Sequence, residues 1–413
     1  MARLIYSTSI YVYSLLIRLA ALFYPKAKSF IRGRKNWESK LQSIAGLSDR
    51  WLWVHCSSLG EFEQGRPVIE KIRREHPDIS ILLTFFSPSG FKVRKNYEHA
   101  DAVMYMPMDT RRNARKFVKI LKPRASLFIK YEFWYHHLKA LHASGIPVFL
   151  ISAVFRPSQV FFKWYGVFFR RMLRFYTTIF VQDEQSKTLL KGIHTETKIS
   201  GDTRFDRVWE ITHETCHNNL LEAFSKDNKR ILVAGSTWIP DETILEKALH
   251  AFPDMKLILA PHETDTSRIE KVAGIFDSHQ TCVFSRADLK HITNCRVLII
   301  DSMGFLSKLY RYGDFAYIGG GFGKGIHNTL EAACYGIPVI FGPNYQRFNE
   351  AKELMQQEAA FSIVSEAELI HRLKMLVDDN FRQTAGANAL TYVKNKRGAS
   401  QKILHALQKS DVF

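Results

Sequence analysis

Two sets of short, unbroken apolar runs, each run separated from the next by a helix-sized spacer, constrain this chain more than any single motif. The first set is WLWVH (51–55), ISILLTF (79–85), AVMYM (102–106), ASLFI (125–129), IPVFLIS (146–152) and TTIFVQ (177–182). The second is RILVAG (230–235), MKLILAP (255–261), RVLIID (296–301), DFAYIGG (314–320) and IPVIFGP (337–343). A strand with one wet face alternates polar and apolar residues, so runs without alternation belong in sheets covered on both faces. Such strands alternating with helices build parallel, doubly wound sheets, and two sets predict two Rossmann-like α/β domains. Ligands of these sheets sit beyond the carboxyl ends of the strands, which with two domains directs attention to the crevice between them.

A chain of 413 residues exceeds one ordinary core. The polar stretch 210–229 reads as the linker between an N-terminal domain over 36–209 and a C-terminal domain over 230–413, whose last helix is free to pack back on the first domain. Hydrophobic residues at 46% and charged residues at 24% describe a folded globular chain. The formal net charge of +18 calls for an anionic partner or surface. Nucleic acid is disfavoured, since the chain has no zinc-finger spacing, RNP-like segment or long basic run. Cys56, Cys216, Cys282, Cys295 and Cys334 are scattered without a C-x-x-C pair and read as structural thiols of a reducing compartment.

The amino terminus accounts for part of the charge. Residues 5–24 are apolar and aromatic, broken by Arg18 and followed by Lys26, Lys28, Arg32, Arg34 and Lys35. Residues 1–35 therefore read as a membrane-anchoring helix with a basic, cytoplasmic flank. The n-region holds only Arg3 and no cleavage site follows, against a signal peptide, and Arg18 weakens a full span. A second segment, residues 159–176, placed on one helix puts Phe161, Trp164, Phe168, Met172 and Phe175 on one side and Lys163, Arg170, Arg171 and Arg174 opposite. An interfacial helix has this pattern, and so does a core helix with a solvated cationic back. Together the two segments favour a protein lying on an anionic bilayer.

Residues 316–343, AYIGGGFGKGIHNTLEAACYGIPVIFGP, run strand, glycine cluster, helix, strand. No register yields G-x-G-x-x-G, because Lys324 or Ile326 stands where a glycine is required. The Walker pattern fails as well, at Ile318 and Gly325. What remains is a row of unobstructed backbone N–H groups leading into a helix, suited to a phosphate or carboxylate. A tight strand-to-helix turn needing positive φ reads equally well.

Other candidates stand at strand ends. After the first strand, HCSSLGEFEQGRP places Glu61 at a helix start, where Ser58-x-x-Glu61 reads as a capping box or Glu61 as a general base. KYEFW ends the fourth strand with Glu132, either a helix-start acid or a site residue. AGSTW and APHE bring Ser236, Thr237 and His262 to strand ends in the second set. His327 and Glu331, spaced i and i+4, are expected on one helix face. They lack a third ligand for a metal.

In this order the stretches SSLGEFEQGRP, KYEFW, SGDTRFD, AGSTW and DSMGFLSKLYRYGDFAYIGGGFGKGIHNTLEAACYGIPVIFGP resemble the bacterial 3-deoxy-D-manno-octulosonic acid (Kdo) transferases of lipopolysaccharide assembly over nearly the whole chain. The resemblance implies a GT-B glycosyltransferase, two Rossmann-like domains facing a cleft. It implies transfer of Kdo from CMP-Kdo to the lipid A precursor, without a metal or other cofactor, at the cytoplasmic face of the inner membrane. Glu61 matches the family's catalytic base, in a Ser-x-Gly-Glu motif that includes Ser58 and Gly60. Glu132 matches its acid before Trp, and Arg204 stands where the family has a cleft Lys. On the donor side Gly235, Ser236 and Thr237 match its Gly-Ser-Thr, Met303 and Gly304 its Asp-x-Met-Gly, and His327, Asn328 and Glu331 its His-Asn-x-Leu-Glu. Gly320 and Gly321, with the helix start, are then expected to hold the CMP half, with Glu331 on the ribose. The family's Pro-Arg-His appears here as Pro261-His262, so one donor-side Arg is missing or replaced. An inverting displacement is expected, with CMP as leaving group, one base on the acceptor hydroxyl and positive charge around the phosphate. Two other classes fit part of this inventory: a GT-B transferase using a UDP-sugar, and a non-catalytic nucleotide-binding protein of the membrane surface.

Overall fold

Continuous apolar runs become strands because burial on both faces of a sheet rewards them at every position, and in the computed structural model they do so twice. All residues are described except 215, 216, 228, 279, 303 and 411. The first sheet holds β1 (Trp51–Cys56), β2 (Ser80–Phe85), β3 (Ala102–Tyr105), β4 (Ala125–Ile129), β5 (Val148–Ala153), β6 (Thr178–Val181) and β7 (Thr197–Ile199), in the order β3-β2-β1-β4-β5-β6-β7. The second holds β8 (Arg230–Thr237), β9 (Met255–Pro261), β10 (Thr281–Val283), β11 (Val297–Ile299), β12 (Phe315–Ile318), β13 (Val339–Phe341) and β14 (Ala360–Ser362), in the order β10-β11-β9-β8-β12-β13-β14. Every pairing is parallel. Strands β7, β10 and β14 are absent from the sequence reading. Each is a three-residue edge strand, too short to leave an apolar run and buried only in part.

The helices that matter below are α1 (Ala2–Ala20), α2 (Leu59–Glu75), α3 (Arg111–Leu121), α4 (Tyr135–Ala143), α5 (Val167–Leu173), α6 (Arg204–His213), α7 (Leu330–Ala333) and α8 (Ala399–Gln408). The chain forms two compact units, Met1–Arg207 with Arg397–Phe413, and Val208–Lys396. The first therefore takes in residues 1–35 and the carboxyl end. There Asp206 accepts the backbone N–H of Gly398 and Ser400, and Ile403, Leu404 and Leu407 of α8 join the core over α2. The stretch read as a linker at 210–229 lies in the second unit. Its helix Asn219–Phe224 is capped by Asn218 and buries Leu221 and Phe224, while the Lys256 ammonium binds the Phe224 carbonyl.

Three readings of the first unit change. Residues 159–176 are not one helix but a 3-10 turn (Val160–Phe162) followed by α5. The chain folds back at Gly166, where a Cβ would lie 1.9 Å from the Val160 carbonyl oxygen, and Arg170 clamps the turn through the carbonyls of Phe161 and Lys163. Phe161 and Met172 join the core with Phe168 and Phe175 against it, whereas Trp164 is 89% exposed, so most of the expected interfacial stripe is packed. Arg34, read as part of a solvated basic flank, is buried over the Phe30 ring and donates to the carbonyls of Met106, Phe30 and Phe86. Burial pulls its guanidinium down to about 9. Helix α1 buries no residue fully, and among the described residues no helix is long and apolar enough to cross a membrane. Arg3, Arg18 and six Ser, Thr or Tyr hydroxyls within its first twelve residues dilute its hydropathy.

The cysteines also differ from expectation. Cys56 and Cys334 are buried thiols, but Cys282 and Cys295 are joined as a disulfide with Cα atoms 6.0 Å apart. The parallel pairing of β10 with β11 brings together residues that are 13 apart in the chain. Cys216 lies outside the described residues.

Candidate active site

The first cluster grows from the carboxyl ends of β1 and β4. Ser58 is the N-cap of α2: its Oγ accepts the Glu61 backbone N–H at 3.4 Å, and Glu61 Oε2 accepts the Ser58 N–H at 2.7 Å and its Oγ–H at 2.7 Å. The capping box is real. Even so, the Glu61 carboxyl is held above the ordinary carboxylate range, first by burial and then by the negative charge of Glu132, with the Ser58 hydrogen bonds opposing. The capping carboxylate is thus also one whose protonation is favoured by its surroundings. Gly60 is exposed beside it, at the open end of the helix.

Glu132 behaves differently. It is 1% exposed and accepts the Ser57 N–H at 2.6 Å, the Ser57 hydroxyl at 2.8 Å and Trp134 Nε1–H at 2.5 Å, with His55 Nε2 at 3.3 Å. Four contacts from three residues make it a buried strut whose charge acts on Glu61 through space. Sequence reasoning assigned no role to His55, Ser57 or Trp134; the signal was a run of hydrogen-bonding side chains flanking both carboxylates. Arg204 is held by Asp202, with Nε at 2.8 Å and Nη2 at 2.7 Å, at the start of α6.

The second cluster lies at the carboxyl ends of β8, β12 and β13. Gly319 packs on the Ser236 backbone, where a Cβ would come within 2.4 Å of the carbonyl oxygen, and a Cβ on Gly321 would lie 2.5 Å from Gly342 Cα. Gly320 has φ +90° and donates its N–H to Asp241 at 2.9 Å. Asp241, 1% exposed, also accepts the Trp238 N–H and the Tyr317 hydroxyl. Gly320 and Gly321 are therefore spent on backbone packing and positive φ and do not line the neighbouring cavity. The helix beyond them is one turn, α7. Asn328 Oδ1 accepts the Leu330 N–H and delays its start, so His327 precedes the helix instead of sharing a face with Glu331.

A cavity of about 330 Å³ opens there, lined by Ser236, Gly304, Ser307, Tyr310, His327, Asn328 and Glu331. Asn328 Nδ2 donates to Glu331 Oε1 at 2.9 Å. Gly235 admits Tyr310, whose hydroxyl would stand 2.2 Å from a Cβ at that position. His262 stacks on His327 at 4.5 Å and on Trp238 at 4.8 Å between ring centres. His327 is pushed below the usual imidazole value, first by burial and then by His262. Thr237 is turned away from the cavity, fully buried and donating to Glu242 at 2.8 Å. Met303 lies outside the described residues. Trp238, Asp241 and Tyr310 were not singled out from sequence, although Asp241 holds a recognisable position, three residues after Trp238 at the start of a helix. Among the described residues no group of three or more His, Cys, Asp or Glu could hold a metal ion.

Residues 32–207 match the family described as 3-deoxy-D-manno-octulosonic-acid transferase (kdotransferase). The 3-deoxy-D-manno-octulosonic acid transferase of Aquifex aeolicus (strain VF5) is 29% identical over 335 residues, 79% of this chain and 86% of the relative. The enzyme of the same name from Rickettsia felis is 28% identical over 386 residues, 90% of this chain and 82% of the relative. Among solved structures, the UDP-GlcNAc 2-epimerase of Neisseria meningitidis bound to UDP-GlcNAc superposes with a TM-score of 0.60 at 16% identity, covering 87% of this chain and all of that one. The architecture is GT-B: two doubly wound Rossmann-like units, each around a seven-stranded parallel sheet. Motif order, the match over residues 32–207 and relatives spanning most of their own length agree: over most of its length the chain is similar to the 3-deoxy-D-manno-octulosonic-acid transferases.

Proposed function

We propose that this glycosyltransferase of lipopolysaccharide biosynthesis moves Kdo from CMP-Kdo to lipid IVA, inverting the anomeric carbon, with Glu61 as general base. The observation that carries the reading is the Glu61 carboxyl itself, capped and oriented by Ser58 yet raised by burial and by Glu132. A base is most effective when its pKa approaches the working pH, and this environment moves Glu61 in that direction. CMP is a good leaving group, so departure needs positive charge at the phosphate more than a strong acid.

Within this reading the cavity of the second unit takes the CMP half, with Ser236 and the exposed loop at Gly304 near the phosphate and Glu331 accepting from the ribose hydroxyls. The Trp238–His262–His327 stack supplies an aromatic surface beside that cavity. No metal or other cofactor takes part. The protein works on the anionic cytoplasmic face of the inner membrane, and nucleic acid is not a partner. The test is to incubate the purified protein with CMP-Kdo and lipid IVA and weigh the product. A lipid heavier by one or more Kdo residues is expected; an unchanged lipid, or transfer from a UDP-sugar in its place, overturns the assignment.

A further inference from the structure

A cavity of about 510 Å³ lies in the first unit, bordered by the first turn of α1, by α3 and by α4. Six cationic side chains line it: Arg3, Arg111, Arg115, Lys119, Lys122 and Lys139. No carboxylate lines it, and among the described residues none of the six is in an ion pair. Arg111, Arg115 and Lys119 stand at i, i+4 and i+8 along α3, a spacing that stacks them on one helix face, and Lys122 follows at its carboxyl cap. Like charges at that spacing destabilise a helix. The same helix shows the ordinary remedy one position away, where Lys116 pairs with Glu38 at 2.6 Å. A row of four unpaired cations, faced by a fifth on α4 and a sixth on α1, is relieved when an anion enters.

We propose that this groove is a phosphate-binding site for the headgroup of an anionic lipid. Its volume is that of a small-ligand pocket, larger than a free phosphate requires. Its floor is apolar, formed by Val118, Pro123 and Ile146. Arg3 is followed directly by Leu4 and Ile5, which are 65% and 64% exposed. The turn that carries Arg3 is fixed in place: Tyr6 donates its hydroxyl to buried Asp109 at 2.5 Å, and Ser7 Oγ lies 3.0 Å from His136 Nε2. A phosphate held by the cations would leave its acyl chains beside that apolar helix. The inference rests on the reading that the enzyme works at an anionic membrane surface, and it adds a defined pocket to what was a diffuse charge.

The test is co-sedimentation of the full chain with phosphatidylcholine vesicles doped with phosphatidic acid. The stripe variant is Arg111→Ala/Arg115→Ala/Lys119→Ala. The control is Lys271→Ala/Lys290→Ala/Lys374→Ala, with the same loss of charge on exposed residues of the second unit. Cations near an anionic surface contribute about 1 kcal/mol each, so the stripe variant should bind roughly 100-fold more weakly while the control stays within about threefold of wild type. Arg111→Lys/Arg115→Lys, which keeps charge and fold, should retain binding. Inorganic phosphate at millimolar concentration should not displace the vesicles. Equal losses in stripe and control variants reduce the effect to bulk charge and overturn the pocket, as does unchanged binding of the stripe variant. Displacement by inorganic phosphate makes it a free-phosphate site and overturns the lipid assignment. If wild type itself fails to sediment, the membrane reading falls with it, and the two failures are told apart.

Discussion

Glu61 shows why a capping box and a catalytic base cannot be separated by sequence: both need a carboxylate three residues after a hydroxyl at a helix start. Substitution separates them. Glu61→Gln still accepts the Ser58 N–H, so the melting temperature should change little at neutral pH, while turnover with a saturating acceptor should fall roughly 100-fold or more. Near wild-type turnover would leave the glutamate a cap only. The raised carboxyl adds a sign. Burial and the charge of Glu132 hold its folded pKa above the ordinary carboxylate range, so as pH falls the ionised carboxylate is lost earlier than for a free glutamate, and the acidic limb of kcat/KM should be displaced upward accordingly. Stability runs the other way. The folded state holds this proton more tightly, so wild type should gain on Glu61→Gln as pH falls through the raised pKa. A second residue-scale prediction concerns the glycines. Gly321→Ala drives a methyl group into the Gly342 backbone and should cost about 1–3 kcal/mol in chemical denaturation, with a raised KM for the donor. An unchanged midpoint would show that the loop has room the structure does not display.

At the scale of elements, α1 leaves much of its apolar surface in water, with Leu15, Leu16 and Leu19 each more than half exposed. Its contacts with the unit include Tyr6 on Asp109 and Phe168, Ser7 on His136 and Tyr13 against Phe86. Asp109 keeps three other donors when Tyr6 is removed, the N–H groups of His136 and His137 and His137 Nδ1 at 2.6 Å. Deleting residues 1–24 should therefore weaken sedimentation with anionic vesicles yet leave the cooperative unfolding transition in place. A truncated protein that sediments as well as the full chain would move the anchor elsewhere, to the exposed Trp164 and Tyr165 turn or to the cationic groove.

For the whole molecule, transfer without a metal is a prediction that rests on the ligands the donor-side cavity offers. His327 and Glu331 line one cavity, but among the described residues no third His, Cys or acid joins them. Transfer in excess EDTA should equal transfer without it, measured by product mass. A large loss restored by magnesium would revive a metal at the donor site. The second unit also carries a buried polar set, Thr237, Glu242 and Arg268, that ties the end of β8 to neighbouring helices and explains why Thr237 is unavailable to a donor.

The sequence alone determined the two parallel sheets, because strands buried on both faces must be apolar without interruption and so announce themselves at every position. It determined Glu61 and Glu132 as strand-end carboxylates for the same reason: strand ends are legible wherever the runs stop. Tertiary structure decided the rest. Edge strands of three residues leave no run to read, and Arg34 looks like any surface cation until three carbonyls close around it. The division of labour between the carboxylates, one a strut and one poised, depends on through-space charge and on partners up to 75 residues away in the chain. The glycine cluster was visible as bare backbone, but only the approach of a second backbone shows that most of that bareness serves packing, and that the cavity is lined instead by the side chains around it.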